Sequence, residues 1–220
     1  MVEVIHQRGS VAELHALDPF GADVITAPQV WWCDPTDSAL VLGSRQSPDL
    51  VDLVAASAAG LNVARRRSGG GAVIVRAHAV VWIDVVVPHG FAPDDIRGAM
   101  VWLGEHWLAA LRPLLADDGH VAGLEVHRGG MLDSAWSDLV CFAGIGPGEV
   151  LIGGRKLVGL SQRRTRHGLR MQGMVYREPQ TACIANLLLG DLPDLQIVEP
   201  VVLPGLRPEP LARALAALLM

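Results

Sequence analysis

Three consecutive glycines, residues 69–71, constrain this chain more than any other feature of its sequence. They follow three arginines at 65–67 and Ser68, and an apolar segment comes directly after them. Glycine adopts positive φ angles and lets a backbone lie close to a ligand, but it loses more conformational entropy on folding than other residues do. The backbone N–H groups of such a loop can bind a carboxylate or a phosphate, and the arginines would attract the same anion. A tight turn with solvated arginines fits the stretch equally well.

The glycine stretch lacks the marks of two common nucleotide-binding loops. No Gly-Lys-Ser/Thr closes it, as a Walker loop requires, and no G-x-G-x-x-G opens a helix, as a Rossmann fold requires. The net charge of −5 and the pI near 5.9 argue against bulk binding of nucleic acid. We therefore expect no nucleic-acid partner.

Length and composition predict a single domain over residues 1–220 with a sizeable core, because 50% of the chain is hydrophobic. No apolar run reaches the length of a membrane span, and charged residues interrupt the N-terminal stretch where a signal peptide needs an apolar core. Cys33, Cys141 and Cys183 are too widely spaced for a zinc site or a disulfide framework. These features predict a reduced, cytoplasmic protein with no membrane partner.

Apolar segments separated by turns predict an α+β domain with a mostly antiparallel sheet and covering helices. Predicted strands lie at residues 30–33, 39–43, 72–75, 80–87, 119–126, 139–142, 149–152, 157–160 and 169–175. Predicted helices begin at residue 48 and end at the glycine at 60, and lie at 93–115, 179–189 and 208–219. The first two strands are expected to pair as a hairpin. Leu50, Leu53 and Val54 are expected to form the apolar face of the first helix.

Lys156 and Cys141 are candidates for chemistry. Lys156 follows a Gly-Gly hairpin turn, from which it would point into a pocket and bind a carboxylate, an acyl phosphate or a thioester oxygen. An ordinary solvated lysine is the alternative. Cys141 lies in a predicted apolar strand just before a glycine-rich loop, where a cysteine beside basic groups is either an activated nucleophile or a small buried hydrophobe.

Five other residues are interpreted as structural or exposed. Cys33 and Cys183 are expected to be small buried hydrophobes, as free cysteine usually is. His78 and His127 are candidate general bases without a partner identifiable from sequence. Asp138 would orient a lysine, bind a cation or lie at the surface.

Three stretches of the sequence together resemble one family. Residues 66–73, R-R-S-G-G-G-A-V, resemble the R-R-x-S-G-G-G-A-V motif of lipoate–protein ligases and octanoyl/lipoyl transferases. Residues 154–163, G-R-K-L-V-G-L-S-Q-R, are similar to that family's G-K/R-K-[ILV]-x-G-x-[SA]-Q-R motif. Residues 41–46, V-L-G-S-R-Q, resemble its [VI]-[VI]-G-x-x-Q segment. The motifs occur in the family's order and together span residues 30–176.

The resemblance implies a fold shared with biotin–protein ligases, and it implies that the glycine loop borders an acyl pocket. Lys156 matches the family lysine that contacts the acyl carbonyl. The product would be an amide between a lipoyl or octanoyl group and a lysine of a lipoyl carrier domain, in a glycine-cleavage H protein or a 2-oxoacid dehydrogenase E2. Acyl carrier protein is a candidate donor. The implied substrate-binding residues are Arg66, Ser68, Gly69, Gly70, Gly71, Ala72, Gly159, Ser161 and Gln162.

The family contains two routes to this product. Its ligases make an acyl-adenylate from ATP and magnesium, whereas its cysteine-dependent transferases form an acyl thioester. Cys141 lies fifteen residues before Lys156, which matches the transferase nucleophile. We therefore predict a Cys141 thioester, with no metal and no tightly bound cofactor. An ATP-dependent ligase and an inactive protein that binds an acyl group or a carrier domain are the alternatives.

Three departures from the family pattern concern substrate activation. Val75-Arg76 stands where many ligases carry His-Asp, and residues 14–27 do not match the N-x-A-x-E helix signature. Gln172-Gly173-Met174 replaces the H-G-T or H-G-S sequence late in the second motif region.

Overall fold

The computed structural model describes residues 2–21, 25–116 and 123–220. Its elements in chain order are β1 Glu3–Gly9, α1 Val11–Ala16, β2 Gln29–Pro35, β3 Ala39–Leu42, α2 Leu53–Ala58, β4 Asn62–Arg65, β5 Val73–Val75, β6 Val80–Pro88, α3 Ile96–Leu114, β7 Leu124–Val126, β8 Val150–Ile152, β9 Arg155–Thr165, β10 Gly168–Tyr176 and α4 Pro208–Leu218.

The strands form two sheets. A seven-stranded sheet has the order β1-β2-β6-β10-β9-β8-β7, and a three-stranded sheet has the order β4-β3-β5. Of their strand pairs, β1–β2 and β3–β4 are parallel and the others are antiparallel. The predicted α+β class with a mostly antiparallel sheet is therefore confirmed.

Strand β6 illustrates how the sequence places the core on both faces of the larger sheet. Alternate side chains of a strand point to opposite faces. Val81, Ile83 and Val85 therefore pack with α3 and α4, whereas Trp82 and Val86 pack with the smaller sheet. The two helices cover one face of the larger sheet, and the smaller sheet covers the other.

The predicted hairpin between the first two strands is wrong. Strand β2 pairs with β1 and β6 in the larger sheet, whereas β3 pairs with β4 and β5 in the smaller one. All four residues of β3 are buried, so this strand is central to its own sheet. The short link between β2 and β3 therefore carries the chain from one sheet to the other.

The predicted helix after residue 47 is two shorter elements. Ser47 caps a single 3-10 turn, Pro48–Leu50. Val51 then forms an isolated bridge with Leu188, and α2 begins after it. Because of this break, a different face of α2 packs against the protein than the sequence predicts. Leu53 and Val54 are 64% and 81% exposed, so the predicted apolar face is wrong at these two positions.

Other boundaries shift by smaller amounts. A 3-10 turn at Cys141–Ala143 takes the place of the strand predicted at 139–142, and another at Ala182–Leu187 takes the place of the helix predicted at 179–189. Residues 119–122 of the strand predicted at 119–126 lie outside the described residues, and β7 covers residues 124–126. The elements β1, α1 and β4 were not predicted. The final helix ends one residue earlier than predicted, and the assignment of residues 1–220 to one domain stays a prediction.

Within the described ranges, no helix has the length and apolarity needed to cross a membrane.

Candidate active site

The glycine loop connects β4 to β5 and is held from inside by Arg66. This side chain is only 3% exposed. Its Nη2 donates to the Gly69 carbonyl at 2.7 Å and to the Gly71 carbonyl at 2.8 Å. Its Nε donates to the Gly69 carbonyl at 3.2 Å. Arg66 therefore fixes the conformation of the loop, which leaves the loop surface free to face a ligand.

The loop is pressed against the segment that carries Cys141. The Ala72 N–H donates to the Leu139 carbonyl at 2.7 Å, and the Cys141 N–H donates to the Ala72 carbonyl at 3.0 Å. Gly70 has a φ of +95°, and a Cβ placed on it would lie 3.5 Å from Cys141 Sγ. Loop and thiol are therefore positioned together, across a large separation in sequence.

We expect Gly71→Ala to destabilise the protein by about 1–3 kcal/mol, because the new methyl group overpacks a filled space. A Cβ at Gly71 would lie 2.5 Å from the Val140 nitrogen. Gly69→Ala is the matched control, since nothing lies within 4 Å of its Cβ position. Urea unfolding of both variants measures the difference. Equal free energies of unfolding would contradict the tight packing of the loop.

Lys156, on β9, is buried and its ammonium group makes two polar contacts. Its Nζ pairs with Glu149 Oε2 at 2.7 Å and donates to the Cys141 carbonyl at 2.8 Å. It also lies 5.2 Å from the centroid of the Phe142 ring. Lys156 is 4% exposed, so the alternative of a solvated turn lysine does not hold.

Glu149 was not among the residues singled out from sequence. It accepts from the Gly146 N–H at 2.8 Å and from the Leu160 N–H at 3.4 Å. Burial raises the pKa of Glu149, and the charge of Lys156 acts in the opposite direction. The sequence signal for it was a lone carboxylate at the start of an apolar strand, directly after a Gly-Pro-Gly turn.

Two cavities meet at Cys141. An open cleft of about 260 Å³ is bordered by Gly69–Gly71, Lys156 and Gln162. A narrow inner cavity of about 40 Å³ is lined mainly by apolar side chains. Cys141, Leu160 and Ser161 line both spaces. An elongated ligand can therefore extend from the cleft past the cysteine into the interior.

The predicted substrate-binding residues divide between these spaces. Arg66 and Gly159 line the inner cavity. Ser68 and Ala72 line neither space. Ser68 Oγ instead lies 3.0 Å from Ser161 Oγ and donates to Gln172 Oε1 at 3.1 Å. Both residues support the cavity walls without facing the ligand space.

The remaining candidates lie away from both cavities. His78, His127 and Asp138 line neither space. Cys33 is buried, as expected, but Cys183 is exposed, so the prediction of a buried side chain is wrong for Cys183. Across the described ranges, no group of three or more His, Cys, Asp or Glu residues is placed to hold a metal ion.

A mostly antiparallel sheet thus carries a glycine loop, a buried lysine and a cysteine around a two-part cavity. The sequence matches the lipoyl protein ligase A/B catalytic domain over residues 23–191. This match covers more than half of the chain, so the chain belongs to that family. The protein is therefore an enzyme of lipoyl transfer or ligation. No curated protein matches its sequence significantly.

Solved structures share the fold at low sequence identity. Ta0514 from T. acidophilum, solved with bound lipoic acid, has a TM-score of 0.71 at 17% identity, over 98% of this chain and 83% of its own. Lipoate-protein ligase A bound with ATP has a TM-score of 0.67 at 16% identity, over 97% of this chain and 82% of its own. The third structure is a bipartite lipoate protein ligase of Thermoplasma acidophilum, studied with its E2 lipoyl domain. It has a TM-score of 0.62 at 18% identity, over 86% of this chain and 66% of its own. These likenesses concern the fold.

Proposed function

We propose that this protein transfers a lipoyl or octanoyl group to a lysine of a lipoyl carrier domain through a thioester on Cys141. The position of Cys141 between the cleft and the inner cavity carries the proposal. An acyl chain in the inner cavity would bring its carbonyl carbon to the junction, beside the thiol. The glycine loop and Lys156 border the cleft side of this point.

The reaction would proceed in two acyl transfers. The Cys141 sulfur attacks the carbonyl carbon of a thioester donor, such as octanoyl-acyl carrier protein. The donor's carbon–sulfur bond breaks, and the donor thiol takes up the proton that the cysteine loses. The amine of the carrier lysine then attacks the Cys141 thioester. An amide forms, the second carbon–sulfur bond breaks, and the proton released by the amine returns to the cysteine sulfur.

Lys156 is suited to stabilise the oxyanion of both steps. An ammonium group has three N–H donors. Two are engaged by Glu149 and by the Cys141 carbonyl, which leaves the third for an acyl oxygen in the cleft that Lys156 lines. Because Glu149 fixes the ammonium in place, the donor is preorganised for the negative charge that develops in the transition state.

The acceptor and the compartment complete the proposal. A lipoyl carrier domain of a 2-oxoacid dehydrogenase E2 or a glycine-cleavage H protein would present its lysine at the open cleft. The bipartite ligase that shares this fold was studied with its E2 lipoyl domain, which supports the first of these. We propose that the reaction takes place in the cytoplasm.

An ATP-dependent ligase is the second candidate, because the fold is shared with a lipoate-protein ligase bound with ATP. In that case Cys141 takes no part in the chemistry, and the adenylate is formed with ATP and magnesium. An inactive protein that binds an acyl group or a carrier domain is the third.

Intact mass after incubation with octanoyl-acyl carrier protein, without ATP, separates these candidates. We expect a hydroxylamine-sensitive octanoyl adduct that is absent from Cys141→Ser. Cys183→Ser is the control, since Cys183 is exposed and would report non-specific acylation. Modification of a lipoyl domain only after ATP, magnesium and free acid are added would identify the ligase. If neither product forms, the result would favour the inactive binding protein.

A further inference from the structure

His15 lines the inner cavity, and the proposed chemistry makes no use of it. It lies in the last turn of α1, an element that the sequence did not predict. The residue is 6% exposed, and its ring packs against Trp82 with centroids 4.4 Å apart and an interplanar angle of 32°. It lines the inner cavity but not the cleft. It would therefore meet the distal part of an acyl chain and not its carbonyl.

A buried ion pair holds this end of α1. Arg170 Nη2 lies 2.7 Å from Asp84 Oδ2. The same guanidinium donates to the Leu14 carbonyl at 2.7 Å and to the Leu17 carbonyl at 2.6 Å. These carbonyls flank His15, and their attachment to Arg170 fixes the direction of the imidazole toward the cavity.

Gln172 determines which nitrogen of His15 carries the proton. Its Oε1 accepts from Ser68 Oγ at 3.1 Å. Its Nε2 lies 3.5 Å from Asp84 Oδ2, a carboxylate oxygen that can only accept. The same Nε2 lies 3.4 Å from His15 Nδ1. The amide therefore donates to Nδ1, and the proton of the neutral ring lies on Nε2.

The Nε2–H of His15 is a buried donor that, among the described residues, has no hydrogen-bond partner. Burial, with the nearby charges of Arg170 and Arg66, lowers the pKa of His15 to about 3, so the ring is neutral. An unpaired buried donor is unfavourable. A ligand that supplies an acceptor at this place gains the hydrogen bond that the folded chain does not provide.

We propose that His15 selects acyl groups whose distal end carries a hydrogen-bond acceptor, such as the ring sulfurs of a lipoyl group, over a methyl-ended octanoyl group. This specificity rests on the proposed acyl transfer. The inner cavity holds only about 40 Å³, so a ring must displace lining side chains. Met174 is one of them, and methionine is flexible enough to repack.

Equilibrium binding tests the selection without turnover. Calorimetric titration compares lipoate with its cyclopentyl analogue, in which carbon replaces both sulfurs, and with octanoate. The wild-type protein is expected to bind lipoate about two- to tenfold more tightly than the analogue, the range of one net hydrogen bond. His15→Phe keeps a ring that packs against Trp82 and removes the donor, so this ratio should fall to about one.

His6→Phe is the matched control, because His6 also packs against a tryptophan, Trp32, with ring centroids 4.1 Å apart, and lines neither cavity. It should keep the wild-type ratio. A second measure of selection is the ratio of the adduct formed from a lipoyl thioester donor to the adduct formed from an octanoyl thioester donor. If adducts form and this ratio is the same in wild type and His15→Phe, the result would overturn selection by His15 but still support the transferase. Absence of both binding and adducts would overturn both.

Discussion

Lys156→Met is expected to lower the rate of acyl transfer by about 10²–10³-fold, the usual effect of removing one oxyanion donor. Methionine has a similar length and no donor. The measurement is single-turnover transfer from a preformed octanoyl adduct to a lipoyl domain, with Arg213→Met as a control at an exposed ion pair. A rate within about twofold of wild type would exclude Lys156 from the oxyanion site.

The same substitution is expected to cost about 3–5 kcal/mol near neutral pH, because it leaves the buried carboxylate of Glu149 unpaired. Burial already raises the pKa of Glu149 above its ordinary value of 4.5, and Lys156 opposes that rise. Without Lys156 the pKa rises further. A carboxyl group with a raised pKa in the folded state contributes stability that is fully present below the unfolded-state pKa and is lost as the pH rises through the folded-state pKa.

The variant should therefore unfold most easily, relative to wild type, above the raised pKa, and the difference should shrink as the pH falls toward 4.5. Lys156→Met combined with Glu149→Gln removes the carboxylate and should remove most of this pH dependence. Urea unfolding at a series of pH values compares the three proteins. Parallel profiles for the single and double variants would contradict the assignment of the effect to Glu149.

Local patterns in the sequence predict the elements around the site better than they predict its contacts. The valine-rich alternation of β6 and the Gly-Gly turn before β9 each carry their own signal. The three motifs predicted the family, which the match over residues 23–191 confirms. Each of these features depends on residues close together in the chain.

The contacts that were missed join distant segments of the chain. Asp84 and Arg170 are 86 positions apart, and Ser68 and Gln172 are 104 apart. Neither pair leaves a periodic signal, since pairing across a sheet is decided by tertiary packing. His15 was missed for the same reason, because its position follows from Arg170. The departure at Gln172 was visible, but its link to His15 was not.

Arg170→Met is expected to destabilise the protein by about 3–5 kcal/mol, the cost of breaking a buried ion pair. The Asp84 side chain is 0% exposed and that of Arg170 is 5% exposed. Burial raises the pKa of Asp84, and Arg170 opposes the rise. Arg213→Met is the control. Arg213 pairs with Glu209 four residues away, and both are largely exposed, so its loss should cost no more than about 0.5 kcal/mol.

Two separate losses contribute to this cost, and a double variant divides them. Adding Asp84→Asn to Arg170→Met removes the unpaired charge but keeps an oxygen that can accept from Trp82 Nε1, which now donates to Asp84 Oδ1 at 2.6 Å. Stability should recover in part. The stability that is not recovered reflects the loss of the Arg170 donors to the carbonyls at the end of α1. Without these donors, the orientation of His15 is no longer fixed. The double variant should therefore unfold at a lower urea concentration than wild type and bind lipoate and its cyclopentyl analogue equally. Full recovery of stability would mean that Arg170 acts only as the counter-charge of Asp84.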